Sequence, residues 1–432
     1  MSLRVLATLA ITFLAIVYSF RDAFYGLIGY TFWSYTYPEK ITWGLLPMQG
    51  LSYIMGLTVI WTTYMQKRKL WSGNRMNKAI IVFWLFTLIG AITEGLSDSC
   101  AWQFKFFSRV ILITLVITVL VEDLKKFRYY LWAIAIFIGL IAARSGYIGT
   151  LRGDAGGVYG GYGGPIGDRN YQAVFLCIAI PIIYNMIYGE RKMLGKLFLL
   201  IIFFGDICAV ILTYSRAGFI GLIAAAIFIV MKSKRKIFIL AAALMIFFIY
   251  NTYVVQEQYK ARVSTITSYR EAQPDADGSI TGRLMAWRCA LEMINRNPVM
   301  GVGFRNSEPS MQYYPDPKTG RVLPGKAIHN TLLMVGAELG IPALFLYVGI
   351  FFCAYRKLGA IKRKIAEGSP NYKAIWHYAS MLQASFMGFF ASSFFVNAAY
   401  VDISWHLVGL TIALEQIVNK ETGINTDRTN ER

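Results

Sequence analysis

The sequence predicts an all-α integral membrane protein, a polytopic bundle of 12–13 transmembrane helices with one long, partly helical loop. Two observations lead to this prediction. Of the 432 residues, 56% are apolar and only 16% are charged, whereas soluble domains carry about 25% charged residues. Apolar runs of spanning length also recur along the chain, and a membrane helix needs about 20 such residues. This composition excludes a soluble DNA-binding protein, a disordered protein and a disulfide scaffold.

Thirteen apolar runs are candidate membrane spans, of which the second is short and could instead be re-entrant. The runs are continuous and do not alternate every second residue, so they predict helices and not the strands of a barrel. The candidate spans are Leu3–Phe20, Ala23–Thr36, Leu45–Met65, Ala79–Leu96, Phe104–Val121, Tyr129–Ile148, Tyr171–Tyr188, Leu197–Thr213, Ala217–Met231, Ile237–Tyr253, Asn330–Tyr355, Ala374–Val396 and Ile403–Val418.

The net charge of +19 is distributed unevenly over the loops. Four loops hold 18 basic residues against two acids, Glu190 and Glu367, and the positive-inside rule places such loops in the cytoplasm. Even numbers of predicted spans separate these loops, which agrees with the assignment. The location of the N-terminus stays open because the second span is short. The four basic loops are 67–78, 190–196, 232–236 and 356–373.

The opposite side of the bundle, here called the outer face, receives four connections. They are the glycine-rich segment Gly149–Asn170, the short Tyr214–Arg216, the long loop Val254–Ile328 and the turn Asn397–Asp402. The chain therefore divides into an N-terminal bundle (1–253), an outer loop (254–328), C-terminal helices (329–418) and a cytoplasmic tail (419–432). The glycine-rich segment lacks the Gly-Lys-Ser/Thr sequence of a phosphate-binding loop. Its glycines are also compatible with a flexible linker that has no functional role.

The outer loop favours arginine, whereas the basic loops favour lysine. Seven of the ten basic residues in the outer loop are arginines, against seven acidic residues. The planar guanidinium suits bidentate phosphate binding, whereas lysine suits general attraction to anionic lipids. Residues 282–297 have apolar positions at helical spacing, and Pro298 ends this predicted helix. The contrast indicates that the outer face handles a phosphorylated ligand.

Four residues at the outer face are candidates for chemistry. Arg216 lies between two apolar runs, where a lone charge is costly and often marks a site. Arg283 and Arg288 lie on the predicted loop helix, and His329 is a usable base near neutral pH. The alternatives are contacts with lipid headgroups for Arg216, snorkelling arginines on a membrane-surface helix, and a structural role for the histidine.

Other features give weaker signals. Asp275 and Asp277 could chelate a metal, but Pro274 and Gly278 equally suit a solvated turn. No spacing of cysteine and histidine suggests zinc. A disulfide between Cys100 and Cys289 is possible, since both are assigned to the outer face. The apolar runs also contain Asp206 and Glu338, which we expect to pair within the bundle.

With these residues in view, the chain resembles the bacterial O-antigen ligase and O-antigen polymerase superfamily over most of residues 140–415. The order and topology of the motifs carry the resemblance. One departure is Arg169, because the family motif has a small or polar residue at this place. The motifs are Gly167–Asn170 before a span with Ile180-Pro181, Tyr214–Gly218, Gly282-Arg283 with Trp287, Asn297-Pro298 and Gly301–Gly303, and His329-Asn330 with Glu338–Gly340.

The N-terminal stretch is similar to one branch, the O-glycosylation ligases associated with exosortase A. The similar residues are Tyr25-Gly26, Trp33-Ser34-Tyr35, Pro38 and Ile41–Gly44. This similarity indicates the ancestry of the chain and says less about the molecule that accepts the transferred group.

The resemblance implies a GT-C type membrane glycosyltransferase of the bacterial inner membrane, with its active site facing the periplasm. It would need no metal and no cofactor. Its donor would be a glycan on undecaprenyl diphosphate, and its acceptor a lipid A-core, another glycan or a protein. It would contact membrane lipids and no nucleic acid.

The resemblance also implies roles for individual residues. Arg216 and Arg283 would hold the diphosphate, and His329 would act in proton transfer. A single displacement at the anomeric carbon would invert its configuration. The remaining candidate substrate-binding residues are Arg288, Asp168, Asn170 and Asn330.

Three other functions remain open at this stage. A repeat-unit polymerase would use the same donor and give a ladder of product lengths. A protein O-glycosylation ligase would give a glycosylated protein. A flippase or transporter of lipid-linked oligosaccharides should show pseudo-symmetric halves and charges at the bilayer midplane.

Overall fold

The computed structural model describes residues 3–38, 49–67, 69–95, 97–152, 168–213, 215–232, 280–366, 369 and 371–422. Within these ranges the chain forms fourteen α-helices, one short 3₁₀ helix and no β-strand. The helices are α1 (Leu3–Ser19), α2 (Ala23–Thr36), α3 (Gln49–Lys67), α4 (Arg75–Thr93), α5 (Asp98–Leu120), α6 (Leu124–Arg152), α7 (Arg169–Gly189), α8 (Met193–Leu212), α9 (Arg216–Lys232), α10 (Ile280–Arg296), α11 (Ser307–Ser310), α12 (Thr331–Lys364), α13 (Tyr372–Ser393) and α14 (Asp402–Glu421).

The protein is an all-α polytopic membrane protein, as the composition predicted. In the described ranges, six helices are long and apolar enough to cross a membrane. Twelve of the thirteen candidate spans coincide with α1–α9 and α12–α14. The thirteenth, Ile237–Tyr253, lies outside the described residues, as do positions 153–167 of the glycine-rich segment and the pair Asp275 and Asp277. The helix predicted at 282–297 is α10.

Ion pairs connect the ends of the helices at the basic loops. Lys126 contacts Asp22 at 2.8 Å and Glu122 at 3.0 Å, and Lys67 contacts Glu122 at 2.7 Å. The turn between α1 and α2 therefore lies at the same end of the bundle as these loops. This placement orients the first two helices, which the sequence left open, and α2 runs towards the outer face.

The helix α12 is interrupted near the outer face, and its backbone groups pair with the outer loop. Gly340 has φ 84° and ψ 174°, and Pro342 has no N–H to donate. The carbonyls of Ala337 and Glu338 accept hydrogen bonds from Val302 N at 2.8 Å and Gly303 N at 3.0 Å. These bonds fix the segment 297–304 against the break.

Two glycines permit this close approach. A Cβ on Gly301, which has φ +68°, would lie 2.4 Å from the carbonyl carbon of Glu338. A Cβ on Gly340 would lie 2.2 Å from the carbonyl oxygen of Val299. The Ile341 N–H donates to the Pro298 carbonyl at 2.7 Å. The two segments therefore interlock through their backbones.

The two acids in apolar runs have different surroundings. The Glu338 carboxylate is buried and accepts hydrogen bonds from Ser307 Oγ at 2.7 Å and Tyr400 OH at 2.8 Å. Asp206 is also buried, and neither of its carboxylate oxygens has a hydrogen-bond partner in the described part of the chain. The expected pairing therefore holds for Glu338, which joins the outer loop to the turn before α14.

We expect Gly340→Ala to destabilise the protein by about 2–4 kcal/mol, because alanine is strained at positive φ and its Cβ overlaps Val299. Gly349→Ala is the matched control, since Gly349 lies in the same helix with no atom within 4 Å of the added Cβ. The control should change stability by less than about 1 kcal/mol. Thermal unfolding in nanodiscs compares the two, and equal melting temperatures would contradict the interlock.

Candidate functional site

The helix α7 begins at the outer face with a side-chain cap. The Asp168 carboxylate accepts hydrogen bonds from Asn170 N at 2.7 Å and Tyr171 N at 3.2 Å. Aspartate at this position satisfies the free N–H groups of the first turn. Arg169 is therefore the first helical residue, and the capping bonds account for the position of Asp168.

The helix α9 begins beside it. Ser215 Oγ accepts from Gly218 N at 3.2 Å and donates to Asn170 Oδ1 at 2.8 Å. A Cβ on Gly218 would lie 2.4 Å from that of Ala173. Only a residue without a side chain fits this contact, which brings the two helix starts together. Arg216 is the first residue of α9.

Arg283 of α10 lies within electrostatic range of both helix starts. Burial and then the charges of Arg216 and Arg169 lower the pKa of its guanidinium. Its Nε is buried without a hydrogen-bond partner among the described residues. The ion pairs found in the same ranges involve none of these three arginines.

This arrangement concentrates positive charge, which solvent screens in part because Arg216 is exposed. The start of a helix carries a partial positive charge, so a cation there is repelled, and the three guanidiniums repel one another. Backbone N–H groups at helix starts and guanidiniums are both good phosphate ligands. The cluster of Arg169, Arg216 and Arg283, called here the arginine cluster, is thus a candidate anion site.

Trp287 connects α10 to His329. Its indole N–H donates to the carbonyl of Ile328 at 3.0 Å, and its ring meets Phe394 edge-on at 5.7 Å. Arg283 precedes Trp287 by one helical turn and lies on the same side of α10. The loop helix therefore brings Arg283 towards the segment that contains His329.

His329 and Asn330 form the start of α12. His329 is partly exposed and has φ +54°, a conformation that costs free energy in a residue with a side chain. Asn330 is buried, and its Oδ1 caps the helix by accepting from Leu333 N at 3.0 Å. Asn330 therefore holds the backbone next to His329.

The turn after α13 joins these segments, and the sequence had indicated no role for it. Asn397 Oδ1 accepts from Asn330 N at 3.2 Å, and its carbonyl accepts from Tyr171 OH at 2.7 Å. Thr331 Oγ1 donates to the Val396 carbonyl at 2.6 Å. The turn thus ties the start of α7 to the start of α12.

The motif Trp33–Tyr35 supports the far end of the same turn. Ser34 Oγ donates to the carboxylate of Asp402, and Tyr35 OH shares a hydrogen bond of 2.8 Å with His406 Nδ1. His406 is buried. These contacts give Ser34, Tyr35 and His406 a packing role.

Arg288 differs from the arginine cluster because a carboxylate neutralises it. Its Nε and Nη2 contact the two oxygens of Asp316 at 2.5 Å and 2.8 Å. The hydrogen bonds from Arg288 hold the pKa of Asp316 well below its ordinary value of 3.8. The pair joins α10 to the later part of the outer loop. A phosphate contact by Arg288 stays a prediction.

Arg305 was not singled out from the sequence, yet it is central to the polar contacts of the outer loop. Its Nε donates to Gln103 Oε1 at 2.6 Å. Burial alone would lower the pKa of Arg305, but Tyr171, Glu338, Tyr400 and Glu308 outweigh it and raise that pKa. Arg305 is therefore balanced by acidic groups, unlike the arginine cluster.

A family model matches part of the chain. Residues 197–348 match the family model described as O-antigen ligase. The matched segment includes Arg216, Arg283, Arg288, His329 and Asn330, whereas Asp168 and Asn170 precede it. No curated protein matches the chain.

The two cysteines at the outer face, Cys100 and Cys289, are buried and free. The Cys100 thiol lies 3.5 Å from the carbonyl oxygen of Phe304. The possible disulfide between Cys100 and Cys289 is therefore not formed in this structure.

We expect Asp316→Asn to destabilise the outer loop by about 3 kcal/mol, because Arg288 would lose its partner. Because the pKa of Asp316 is lowered, its contribution is complete above pH about 4 and is lost as the pH falls further. Glu292→Gln is the control, since Glu292 pairs with Arg296, which is 59% exposed, and such pairs contribute little. Thermal unfolding at pH 7 and at pH 3 measures the stability of both variants. Equal effects of the two substitutions would contradict the stabilising role of the pair formed by Arg288 and Asp316.

Proposed function

We propose that the protein transfers a glycan from undecaprenyl diphosphate to an acceptor hydroxyl at the outer face. One observation carries the proposal. Inside the segment that matches the O-antigen ligase model, the charge of Arg216 acts on Arg283, and neither arginine has a carboxylate partner among the described residues. A diphosphate would remove this repulsion. In the membrane orientation expected from the basic loops, the outer face is the periplasmic face.

The arginines would bind the leaving group. A lipid diphosphate is a good leaving group and needs charge stabilisation more than it needs a strong acid. Arg216 and Arg283 can supply it through bidentate hydrogen bonds, which are strong when both partners are charged. The start of α9 adds the partial positive charge of its helix dipole.

His329 would be the base. The acceptor oxygen forms its bond to the anomeric carbon while the bond from that carbon to the diphosphate oxygen breaks and keeps its electron pair. The proton of the acceptor hydroxyl passes to the imidazole, and a single displacement of this kind inverts the anomeric carbon. Asn330 and Asn397 support this role, because they fix the backbone on which His329 lies.

The remaining candidate residues have supporting roles in this proposal. Asp168 and Asn170 position the helix starts through the hydrogen bonds described above, and Arg288 holds the outer loop through Asp316. The proposed donor would also suit a polymerase or a protein ligase. The identity of the product distinguishes them: a single transfer to lipid A-core, a ladder of lengths, or a glycosylated protein.

The test is transfer in proteoliposomes with a defined undecaprenyl-diphosphate glycan and candidate acceptors, followed by mass spectrometry of the product. We expect His329→Ala to lower kcat by about 100-fold or more, the usual size of a general-base contribution. We expect Arg216→Ala and Arg283→Ala to weaken donor binding.

Arg296→Ala is the matched control, since Arg296 lies on the same helix as Arg283, is 59% exposed and contacts only Glu292 and the ring of Tyr314 with its guanidinium among the described residues. It should retain wild-type transfer. Wild-type kcat in His329→Ala would contradict the base assignment. Retained donor binding in the double variant of Arg216 and Arg283 would contradict the diphosphate site.

A further inference from the structure

Arg169 is part of the arginine cluster, although the motif that contains it has a small or polar residue there in the family it resembles. It precedes Ala173 by one turn, so it lies on the side of α7 that faces α9. That side is fixed by the contact between Ala173 and Gly218 and by the hydrogen bond between Asn170 and Ser215. Arg169 and Arg216 therefore begin two helices that are in direct contact.

The position of Arg169 has no structural explanation in the described residues. It is partly exposed, begins a helix and lies within electrostatic range of Arg283. The helix start and the charge of Arg283 both disfavour a positive charge at this position. The helix start therefore favours a neutral residue at this place, and a ligand that requires a third positive charge would account for the arginine.

The charge of the diphosphate changes during the proposed reaction. In the donor each phosphate has one ester bond and shares the anhydride bond with the other, and each carries about one negative charge. When the bond to the sugar breaks, the phosphate that held the sugar keeps only the anhydride bond and becomes a terminal phosphate, which carries about −1.5 to −2 at pH 7. The two positive charges of Arg216 and Arg283 balance the two negative charges of the donor diphosphate. A third guanidinium would balance the additional charge that appears on the departing group.

We propose that Arg169 is a third guanidinium of the diphosphate site and contacts the negative charge that develops on the departing phosphate. The proposal rests on the proposed function. Interactions that strengthen only as the reaction proceeds raise kcat and leave the binding of the donor largely unchanged. Arg169 therefore differs in role from Arg216 and Arg283, which act on the donor from the start.

The experiment compares Arg169→Gln and Arg169→Lys with the wild type in the proteoliposome assay. We expect Arg169→Gln to lower kcat by about 10- to 100-fold, in the range seen when one group that stabilises a developing charge is removed. KM for the donor should stay within about 3-fold of wild type. Lysine keeps the charge without the planar fork, so Arg169→Lys should recover part of the rate.

Product inhibition provides a second measurement. Undecaprenyl diphosphate carries the additional charge, so its inhibition constant should rise about 10-fold or more in Arg169→Gln. A non-hydrolysable phosphonate analogue of the donor should bind as in the wild type. Arg296→Gln, which removes an arginine elsewhere in the outer loop, should change none of these values.

Stability separates this role from a structural one. Removing a charge that is repelled by its neighbours should leave the melting temperature of the ligand-free protein unchanged or raise it. A clear fall in melting temperature would contradict the proposal. So would wild-type kcat and product inhibition in Arg169→Gln, or an increase in KM that accounts for the whole loss of activity.

Failure of the proposed function has a different signature. If Arg216→Ala and Arg283→Ala bind the donor as the wild type does, or if no product forms from a lipid diphosphate, the function itself is wrong. If those variants lose donor binding while Arg169→Gln behaves as the wild type, only the role of Arg169 is wrong.

Discussion

The exchange of backbone hydrogen bonds at Gly340 determines where the outer loop lies. An interrupted helix in an apolar medium leaves N–H and C=O groups unpaired, and each costs several kcal/mol if nothing replaces the lost bond. Here Val302 and Gly303 donate to the free carbonyls of α12, and Ile341 donates to Pro298. The loop is therefore held by backbone bonds that α12 itself requires, in addition to its side-chain contacts.

This attachment places the catalytic candidates. The segment 297–304 directly follows α10, so fixing the segment also fixes the helix that carries Arg283. The hydrogen bond from Trp287 to Ile328 then sets α10 against the residues before α12. The starts of α7 and α9 approach from the other side through Gly218. Rigid helices, and not a long flexible loop, thus define the distances that the proposed transfer needs.

Six of the arginines that the structure describes at the outer face fall into two groups according to their charged partners. Arg288 pairs with Asp316, Arg296 pairs with Glu292, and Arg305 lies among Glu338, Glu308 and two tyrosines. The charges of Arg169 and Arg216 act on Arg283, and none of the three arginines forms an ion pair among the described residues. The first group stabilises the loop in the absence of a ligand. The second group is stable only if solvent or an anion screens it, which is the property expected of a binding site.

Hydropathy and charge were sufficient to predict most of the fold. Apolar runs identify helices because each run is longer than any strand, and helical spacing plus Pro298 identified α10. The site was predicted only in part. The hydrogen bond between Tyr171 and Asn397 joins residues 226 positions apart. The ion pair between Arg288 and Asp316 also connects distant parts of the outer loop. No local pattern encodes such contacts. Arg169 does leave a signal in the sequence, a cation directly after a capping aspartate, but the motif alone identifies it only as a departure from the family pattern.

The position of the arginine cluster at the ends of spans, and not within them, is consistent with a ligand that is half lipid. A charged group in the hydrocarbon region loses its hydration, whereas a guanidinium at a helix start keeps water on one side. The diphosphate of a lipid carrier has the same requirement, because its phosphates stay at the interface while its chain lies in the bilayer. The helices α7, α9 and α12 all begin at this level, so their positive ends point towards the same interface. The position of the cluster therefore agrees with the proposed lipid-linked donor, whose diphosphate would lie at such an interface.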